Sequence, residues 1–145
     1  MQTFLPYTNF RKCAGALDWR RLGKQRVEAK MIMEILLETK YPVDSRWKNH
    51  PAVKMWKGYI GALAWYGIEM CLEWKRRGYE DNLLDVFIRH APPWEEVEMP
   101  WWIGNTGSGN IGVSHRSNLI RKDPAYYGKV WPRLRDDKPY FWPVK

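Results

Sequence analysis

The sequence predicts an all-α fold, a compact single-domain helical bundle with long ordered loops and an irregular aromatic C-terminal tail. Two long segments carry apolar side chains at helical spacings of three and four residues. No segment of any length alternates as a strand does. The 145 residues are 45% hydrophobic, which suffices for one buried core. No repeat or linker divides the chain, so residues 1–145 are expected to form one domain.

The first long helix is expected over residues 17–38. Its first half is nearly all polar and strongly cationic. Its second half has apolar side chains at helical spacing, which predicts packing on a core. These side chains are Val27, Met31, Ile32, Ile35 and Leu36.

The second long helix is expected to start with Pro51 in its first turn and to be capped by Asn49 or His50. Gly78 is expected to end it, directly after three basic residues. An apolar stripe between these points predicts core packing and no function. The stripe consists of Trp56, Tyr59, Leu63, Tyr66, Met70 and Trp74.

The remaining elements are shorter. A helix is expected over residues 82–90, followed by an ordered loop over residues 92–113. The glycine-rich part of that loop lacks the Gly-Lys-Ser/Thr ending of a P-loop and suits a lid or a segment that adapts to a groove. Ser114 is expected to cap a basic helix, and Asp123 begins a further turn. The aromatic tail is ordered only if it packs on the body.

The chain is basic, with a formal net charge of +8. Residues 1–30 carry seven Lys/Arg against two Asp/Glu, and residues 101–145 carry eight against three. If both basic ends fold onto one face, they form the positive surface expected of a protein that binds phosphates. Ten Trp, eight Tyr and four Phe accompany the charge, which favours nucleic acid over a basic surface kept for solubility.

Several functional classes lack their residues in this chain. Cys13 and Cys71 are the two cysteines, and no Cys/His pair has metal-ligand spacing, so we expect no metal and no other cofactor. No nucleophile-elbow serine and no Asp-rich two-metal signature occurs. Residues 1–10 lack a signal-peptide pattern, and the most apolar stretch, residues 58–68, is too short for a bilayer. We therefore expect a cytoplasmic protein without membrane association.

The cationic half of the first helix is one candidate site. Arg21, Lys24 and Glu28 share a helix face with Gln25, and cationic neighbours keep such a carboxylate ionised. The alternative is an ordinary ladder of ion pairs, worth about 0.2–0.5 kcal/mol per pair. Gly23 favours a functional site, because a glycine there allows another backbone to approach closely.

The helix over residues 115–122 is the second candidate site, because its hydroxyl, amide and cationic side chains suit phosphate oxygens. His115 is expected to bond a phosphate or the backbone rather than to catalyse. The tyrosines that follow either stack on an unpaired base or pack the tail. The residues expected to contact nucleic acid are Arg20, Lys24, Arg26, His115, Arg116, Asn118, Arg121, Lys122, Tyr126 and Tyr127.

Several phrases of the sequence point to a known family. They are Trp-Arg-Arg-Leu-Gly-Lys at 19–24, His-Pro-Ala-Val-Lys-Met-Trp at 50–56, Glu-Trp-Lys-Arg-Arg-Gly-Tyr at 73–79, and Arg-Lys-Asp-Pro-Ala-Tyr-Tyr-Gly at 121–128. With the opening Met-Gln-Thr-Phe-Leu-Pro, they resemble a bacterial and phage branch of the pyrimidine-dimer DNA glycosylases of the phage endonuclease V type. The resemblance covers most of the chain.

The resemblance implies a DNA repair glycosylase that flips a nucleotide out of duplex DNA and attacks C1′ of the sugar with its N-terminal amine. It then cleaves the strand at the abasic site as an AP lyase, without metal. An α-amine has a pKa about 2.5 units below that of a lysine side chain, which leaves more of it as a neutral nucleophile. Duplex DNA is the implied partner, with no obligatory protein partner.

The resemblance also implies roles for particular residues. The family's nucleophile is a threonine exposed by loss of the initiator methionine. Here Gln2 follows Met1, so the amine is that of Met1. Arg21 stands where the family has its glutamate, so Glu28 is the first choice of carboxylate and Asp18 the second, with Arg21 stabilising charge. The alternatives are a non-catalytic nucleic-acid-binding module on the same scaffold and a metal-free RNA-processing enzyme.

Overall fold

The chain folds into helices and loops in the computed structural model, which describes residues 1–39, 46–104 and 110–144. Over these residues no strand forms, which confirms the predicted all-α class. Two short 3-10 turns lie at Arg46–Asn49 and Trp94–Glu96. The α-helices are α1 (Phe10–Ala16), α2 (Trp19–Leu37), α3 (Pro51–Lys54), α4 (Ile60–Arg76), α5 (Leu84–His90), α6 (Ile111–Lys122) and α7 (Pro124–Val130).

Helix α2 matches the predicted first helix closely. Asp18 caps its N-terminus by accepting a hydrogen bond from the backbone N–H of Arg21 at 3.3 Å. Ile32 and Ile35 are fully buried as expected. The prediction for Val27 was wrong, since its side chain is 55% exposed. Val27 lies about 140° around the helix from Ile32 at 100° per residue, so it points away from the core.

The predicted second helix is interrupted, which corrects the continuous helix expected from the stripe. His50 caps α3 through Nδ1, which accepts from the backbone N–H of Ala52 at 3.0 Å. The chain then turns through Gly58, whose φ of +86° lies in the left-handed region, before α4 begins. Gly78, with a φ of +93°, follows the end of α4 as expected.

Helix α4 is the centre of the core. Helices α1, α2 and α5 all pack on it, and Leu63, Tyr66 and Met70 of its stripe are fully buried. Helix α5 approaches closely at Gly67, where an added Cβ would lie 2.4 Å from the ring of Phe87. The short helix predicted after residue 82 is confirmed as α5.

Helix α6 begins earlier than expected. Asn110, not Ser114, is its cap, and accepts from the backbone N–H of Val113 at 3.0 Å. Ser114 lies inside the helix and instead bonds the C-terminal tail through Pro139 and Phe141 at 2.8 Å each. The tail therefore packs on the body along α6. Residues 105–109 of the glycine-rich loop lie outside the described residues.

The N-terminal stretch before α1 has no regular secondary structure and is mostly buried. Thr3, Phe4 and Leu5 lie inside the protein, with exposures of 0%, 6% and 1%. Their partners come from α2, α4 and α6, so the stretch is enclosed by three helices. Among the described helices, none is both long and apolar enough to cross a membrane.

Candidate active site

An open cleft of about 540 Å³ lies where the N-terminal stretch, the start of α2 and the end of α6 meet. It joins parts of the chain that are more than 100 residues apart in sequence. Residues from both basic ends of the sequence therefore share one surface, as the charge distribution predicted. The cleft is lined by Met1, Gln2, Phe4, Asp18, Arg20, Arg21, Lys24, Gln25, Glu28, Lys122 and Asp123.

Glu28 is buried at the inner side of this cleft, beside the start of the chain. Its Oε2 accepts a hydrogen bond from the backbone N–H of Gln2 at 2.6 Å. Its Oε1 lies 3.6 Å from Nζ of Lys24, whose side chain is 72% exposed. Because Met1 directly precedes Gln2, this bond places Glu28 one residue from the N-terminal amine, and Met1 lines the same cleft.

Gln25 positions the N-terminal stretch from α2. Its Nε2 donates to the carbonyl of Gln2 at 2.9 Å, and its Oε1 accepts from the backbone N–H of Phe4 at 3.0 Å. The hydroxyl of Tyr66 lies 2.6 Å from the same Oε1 and 2.8 Å from the carbonyl of Phe4. Trp56 adds a bond from its indole N–H to the hydroxyl of Thr3 at 3.0 Å. The direction of the first residues is thus fixed by buried side chains.

His115 holds the same stretch from the opposite side. It is fully buried, and its Nδ1 accepts from the backbone N–H of Leu5 at 2.8 Å. Its Nε2 lies 3.2 Å from the side-chain amide of Gln2. Burial lowers the pKa of His115 to about 3, so the ring is neutral at physiological pH. The bond to Leu5 confirms the expected backbone contact, while the alternative of a phosphate contact was wrong, because the ring is inside the protein.

Asp18 has a different environment from Glu28. Its carboxylate accepts from the backbone N–H of Arg21 at 3.3 Å, from the guanidinium of Arg21 at 3.2 Å, and from the hydroxyl of Tyr127. Burial acts to raise the pKa of Asp18, but the bonds from Tyr127 and Arg21 outweigh it and lower the pKa. Asp18 is therefore an ionised helix cap whose oxygens are already engaged.

Three further residues expected on the surface are also turned inward. Arg26 is 8% exposed and pairs with Asp81 at 2.6 Å. Asn118 is 3% exposed and donates to the carbonyl of Ser114 at 2.7 Å. Tyr127 is fully buried, so its ring has no face open for a base. These positions correct the expected nucleic-acid surface, because neighbouring elements cover the helix faces that carry them.

The other expected contacts lie in three places. Arg20, Lys24 and Lys122 line the cleft, together with Arg21, which was expected to stabilise charge. Tyr126 is 39% exposed, beyond the end of α6. The last two expected contacts, Arg116 and Arg121, bond other parts of the protein. The guanidinium of Arg116 donates to the carbonyl of Pro6 at 2.5 Å. The guanidinium of Arg121 donates to Ser117, Asn118 and the carbonyl of Asp136.

Gly23 has a structural neighbour that differs from the expected one. An added Cβ would lie 2.8 Å from the ring of Trp74, so the glycine makes room for this indole rather than for a passing backbone. The close packing brings the end of α4 against the cationic start of α2. Gly23 therefore allows the Trp74 indole to pack directly against α2.

His50, predicted only as a helix cap, lies outside the cleft lining, but charges of the cleft affect its pKa. Burial first, and then the positive N-terminal amine, lower the pKa of His50, while the charge of Glu28 opposes them. Its ring thus lies within electrostatic range of both groups. The bonds of Trp56 and Tyr66 to the N-terminal stretch were missed, because the spacing of these two residues indicates core packing only. Gln25 was expected on the same helix face as Glu28, but its contact with the N-terminal stretch was not expected.

The part of the chain that the structure describes contains no cluster of metal-ligating side chains and no exposed thiol. Its His, Cys, Asp and Glu side chains form no group of three that could hold a metal ion. Both cysteines are buried and free. Burial raises the pKa of the Cys13 thiol to about 12, so it is protonated at neutral pH.

Comparison with known proteins agrees with the family suggested by the sequence. No curated protein and no solved structure matches the chain. A family model described as pyrimidine dimer DNA glycosylase matches residues 1–86, which include the N-terminal stretch, Asp18, Glu28 and the whole of α2. The match covers more than half of the 145 residues. The chain therefore belongs to the pyrimidine dimer DNA glycosylase family, whose substrate is DNA.

Proposed function

We propose that this protein is a DNA glycosylase with an associated AP-lyase step, which excises damaged or modified pyrimidines from duplex DNA. The observation that carries the proposal is the 2.6 Å bond between the backbone N–H of Gln2 and Glu28, inside a cleft lined by cationic side chains. This bond places Glu28 one residue from the N-terminal amine, and imine chemistry at C1′ requires an amine nucleophile together with a carboxylate that can take up its proton.

In the proposed reaction the lone pair of the Met1 amine forms a bond to C1′ of the damaged nucleotide. The electron pair of the glycosidic bond leaves with the base, which takes a proton from water. Glu28 accepts the proton that the nitrogen loses and returns it to O4′ as the sugar opens to an imine. In the lyase step the Glu28 carboxylate, again deprotonated, takes a proton from C2′. The C–H electron pair forms the C2′–C3′ double bond, and the phosphate leaves C3′ with the electron pair of the C–O bond. Water then hydrolyses the imine and releases the amine.

The cations of the cleft have a binding role in this proposal. Arg20, Arg21 and Lys24 approach from α2 and Lys122 from the end of α6, so they lie on two sides of the same opening. Phosphates on either side of the damaged nucleotide would engage them, because guanidinium and ammonium groups bind phosphate oxygens independently of sequence. The target base leaves the helical stack, since C1′ is otherwise out of reach of the amine.

Reductive trapping tests the proposed nucleophile. Borohydride should join the protein to DNA containing an abasic site, and peptide mapping should place the adduct on residue 1. A tag left on the N-terminus should abolish the adduct. Lys24→Arg should trap normally, because it keeps the charge near Glu28 while removing the competing side-chain amine.

Each other outcome assigns a different chemistry. Loss of trapping in Lys24→Arg, with normal trapping by the tagged protein, would make Lys24 the nucleophile. Release of free base without any adduct would indicate a monofunctional glycosylase that uses water. Neither base release nor trapping on UV-irradiated duplex would identify a binding module without catalysis.

A further inference from the structure

An aromatic stack lies on the surface where α2 begins and α4 ends. The ring of Tyr79 lies nearly parallel to that of Trp74, with centroids 4.1 Å apart and an interplanar angle of 22°. Trp19 stacks against Tyr79 at 6.4 Å and 27°. Trp19 is 52% exposed and Tyr79 is 40% exposed. The proposed glycosylase chemistry uses none of these rings.

The stack is fixed by its surroundings. The indole N–H of Trp74 donates to the carbonyl of Glu80 at 2.9 Å, and its ring fills the space left by Gly23. The left-handed turn at Gly78 directs Tyr79 back towards α4. The backbone N–H of Tyr79 donates to the carbonyl of Trp74 at 3.2 Å. A prearranged ring surface binds a flat ligand without the entropy cost of ordering several side chains.

Both ends of the stack carry a guanidinium. The Cζ of Arg26 lies 4.9 Å from the Trp74 ring, held there by its ion pair with Asp81. The Cζ of Arg20 lies 5.3 Å from the Trp19 ring. Arg20 also lines the cleft, and Trp19 directly follows the cleft residue Asp18. The stack is therefore continuous with the cationic cleft, and its exposed end lies beside a group that binds phosphate.

We propose that Trp19 and Tyr79 form a stacking platform for an unpaired nucleobase of the DNA strand whose backbone lies in the cleft. The inference rests on the proposed function, which supplies the DNA. A nucleobase has the flat, electron-poor faces that stack on indole and phenol rings, and its phosphate lies within reach of an adjacent arginine.

Trp94 provides a contrast on the same protein. It is also 52% exposed, but it makes an edge-to-face contact with Trp65 and is followed by Glu95 and Glu96. Its surroundings repel phosphate, so exposure alone does not mark a site for a nucleotide. Trp94 is therefore a matched control for substitution of Trp19.

The experiment measures affinity for two duplexes of one sequence, one fully paired and one with a single bulged base. Trp19→Leu should weaken binding to the bulged duplex by about five- to a hundredfold, the range given by base–aromatic stacking. It should leave the paired duplex unchanged, because phosphate contacts remain. Trp94→Leu should change neither. With 5-iodouracil as the bulged base, photocrosslinks in the wild type should map to Trp19 or Tyr79.

Other results overturn the platform in distinguishable ways. The platform is refuted if Trp19→Leu weakens binding to both duplexes equally or leaves both affinities unchanged. It is also refuted if the crosslinks map elsewhere. In these cases base release by the wild type still upholds the proposed function. If the wild type binds neither duplex and releases no base, the proposed function fails and the platform fails with it.

Discussion

At the scale of single residues, the surroundings of two carboxylates separate their roles. Both lie in the cleft and both are nearly buried. Asp18 has its oxygens engaged by Arg21 and Tyr127. Glu28 accepts from the backbone N–H of Gln2, one residue from the N-terminal amine. We therefore assign the proton transfer to Glu28 and the capping of α2 to Asp18.

Glu28→Gln tests this assignment. The amide oxygen can still accept from the N–H of Gln2, so the N-terminal stretch and DNA affinity should be preserved. Base release from UV-irradiated DNA should fall by at least about a hundredfold, the usual scale for a general acid–base group. Glu34→Gln on the same helix, which breaks an ion pair with Lys30 outside the cleft, is the control and should keep full activity. A Glu28→Gln enzyme of normal rate would contradict the assignment.

Sequence spacing could predict this part of the site because it depends on one helix. Arg21, Lys24 and Glu28 are three or four residues apart, and such side chains share a face wherever the helix lies. The burial of three other residues depends on distant parts of the chain. Arg26 pairs with Asp81, His115 bonds the N-terminal stretch, and Tyr127 bonds Asp18. Those contacts span 55 to 110 residues in sequence and leave no local pattern.

At the scale of elements, α6 shows why buried polar side chains such as His115 and Asn118 were expected on a binding surface. The C-terminal tail has no regular structure, so its backbone groups need partners elsewhere. Ser117 accepts from the N–H of Lys138 at 2.9 Å, and Asn118 donates to the carbonyl of that residue at 3.3 Å. Hydroxyls and amides suit phosphate oxygens and backbone groups equally well, so composition alone could not distinguish the two.

The docking of the N-terminal stretch on α6 should depend on pH through His115. The folded protein keeps this ring neutral down to pH about 3, whereas an unfolded histidine takes up a proton below pH about 6.5. The stabilisation is therefore complete above pH 6.5 and is lost as the pH falls toward 3. The free energy of unfolding should decrease by up to about 1.4 kcal/mol per pH unit from this residue.

Denaturant titrations between pH 7 and pH 4.5 check this dependence against His115→Asn. Asparagine offers an oxygen near the position of Nδ1 for the N–H of Leu5 but does not titrate. The variant should show a slope shallower by about one proton, with His50 contributing equally to both proteins. Parallel curves for the two proteins would show that His115 does not carry the effect.

At the scale of the whole molecule, the fold joins two basic ends of the chain that a nearly neutral middle separates. Helix α4 forms the core between them, and the N-terminal stretch passes from α2 to α6 across it. The charge distribution predicted one cationic surface if both ends fold onto one face, and the cleft brings cations of α2 together with Lys122. It could not show that Arg26, Arg116 and Arg121 bond other parts of the protein. The cations that line the cleft are therefore Arg20, Arg21, Lys24 and Lys122.

The number of cations in the cleft sets the expected salt dependence of DNA binding. Each phosphate neutralised on duplex DNA contributes about −0.9 to the slope of log affinity against log salt, so these four side chains predict a slope of about −3 to −4.

Lys122→Ala should weaken binding to all sequences alike and make the slope shallower by about 0.9, because it removes one phosphate contact. Arg89→Ala on α5, outside the cleft lining, should leave the slope unchanged. Fluorescence anisotropy with a labelled duplex from 50 to 200 mM salt measures both slopes. A nearly flat dependence in the wild type would mean that the cleft is not the phosphate-binding surface. An unchanged slope in Lys122→Ala would place the contacts on α2 alone.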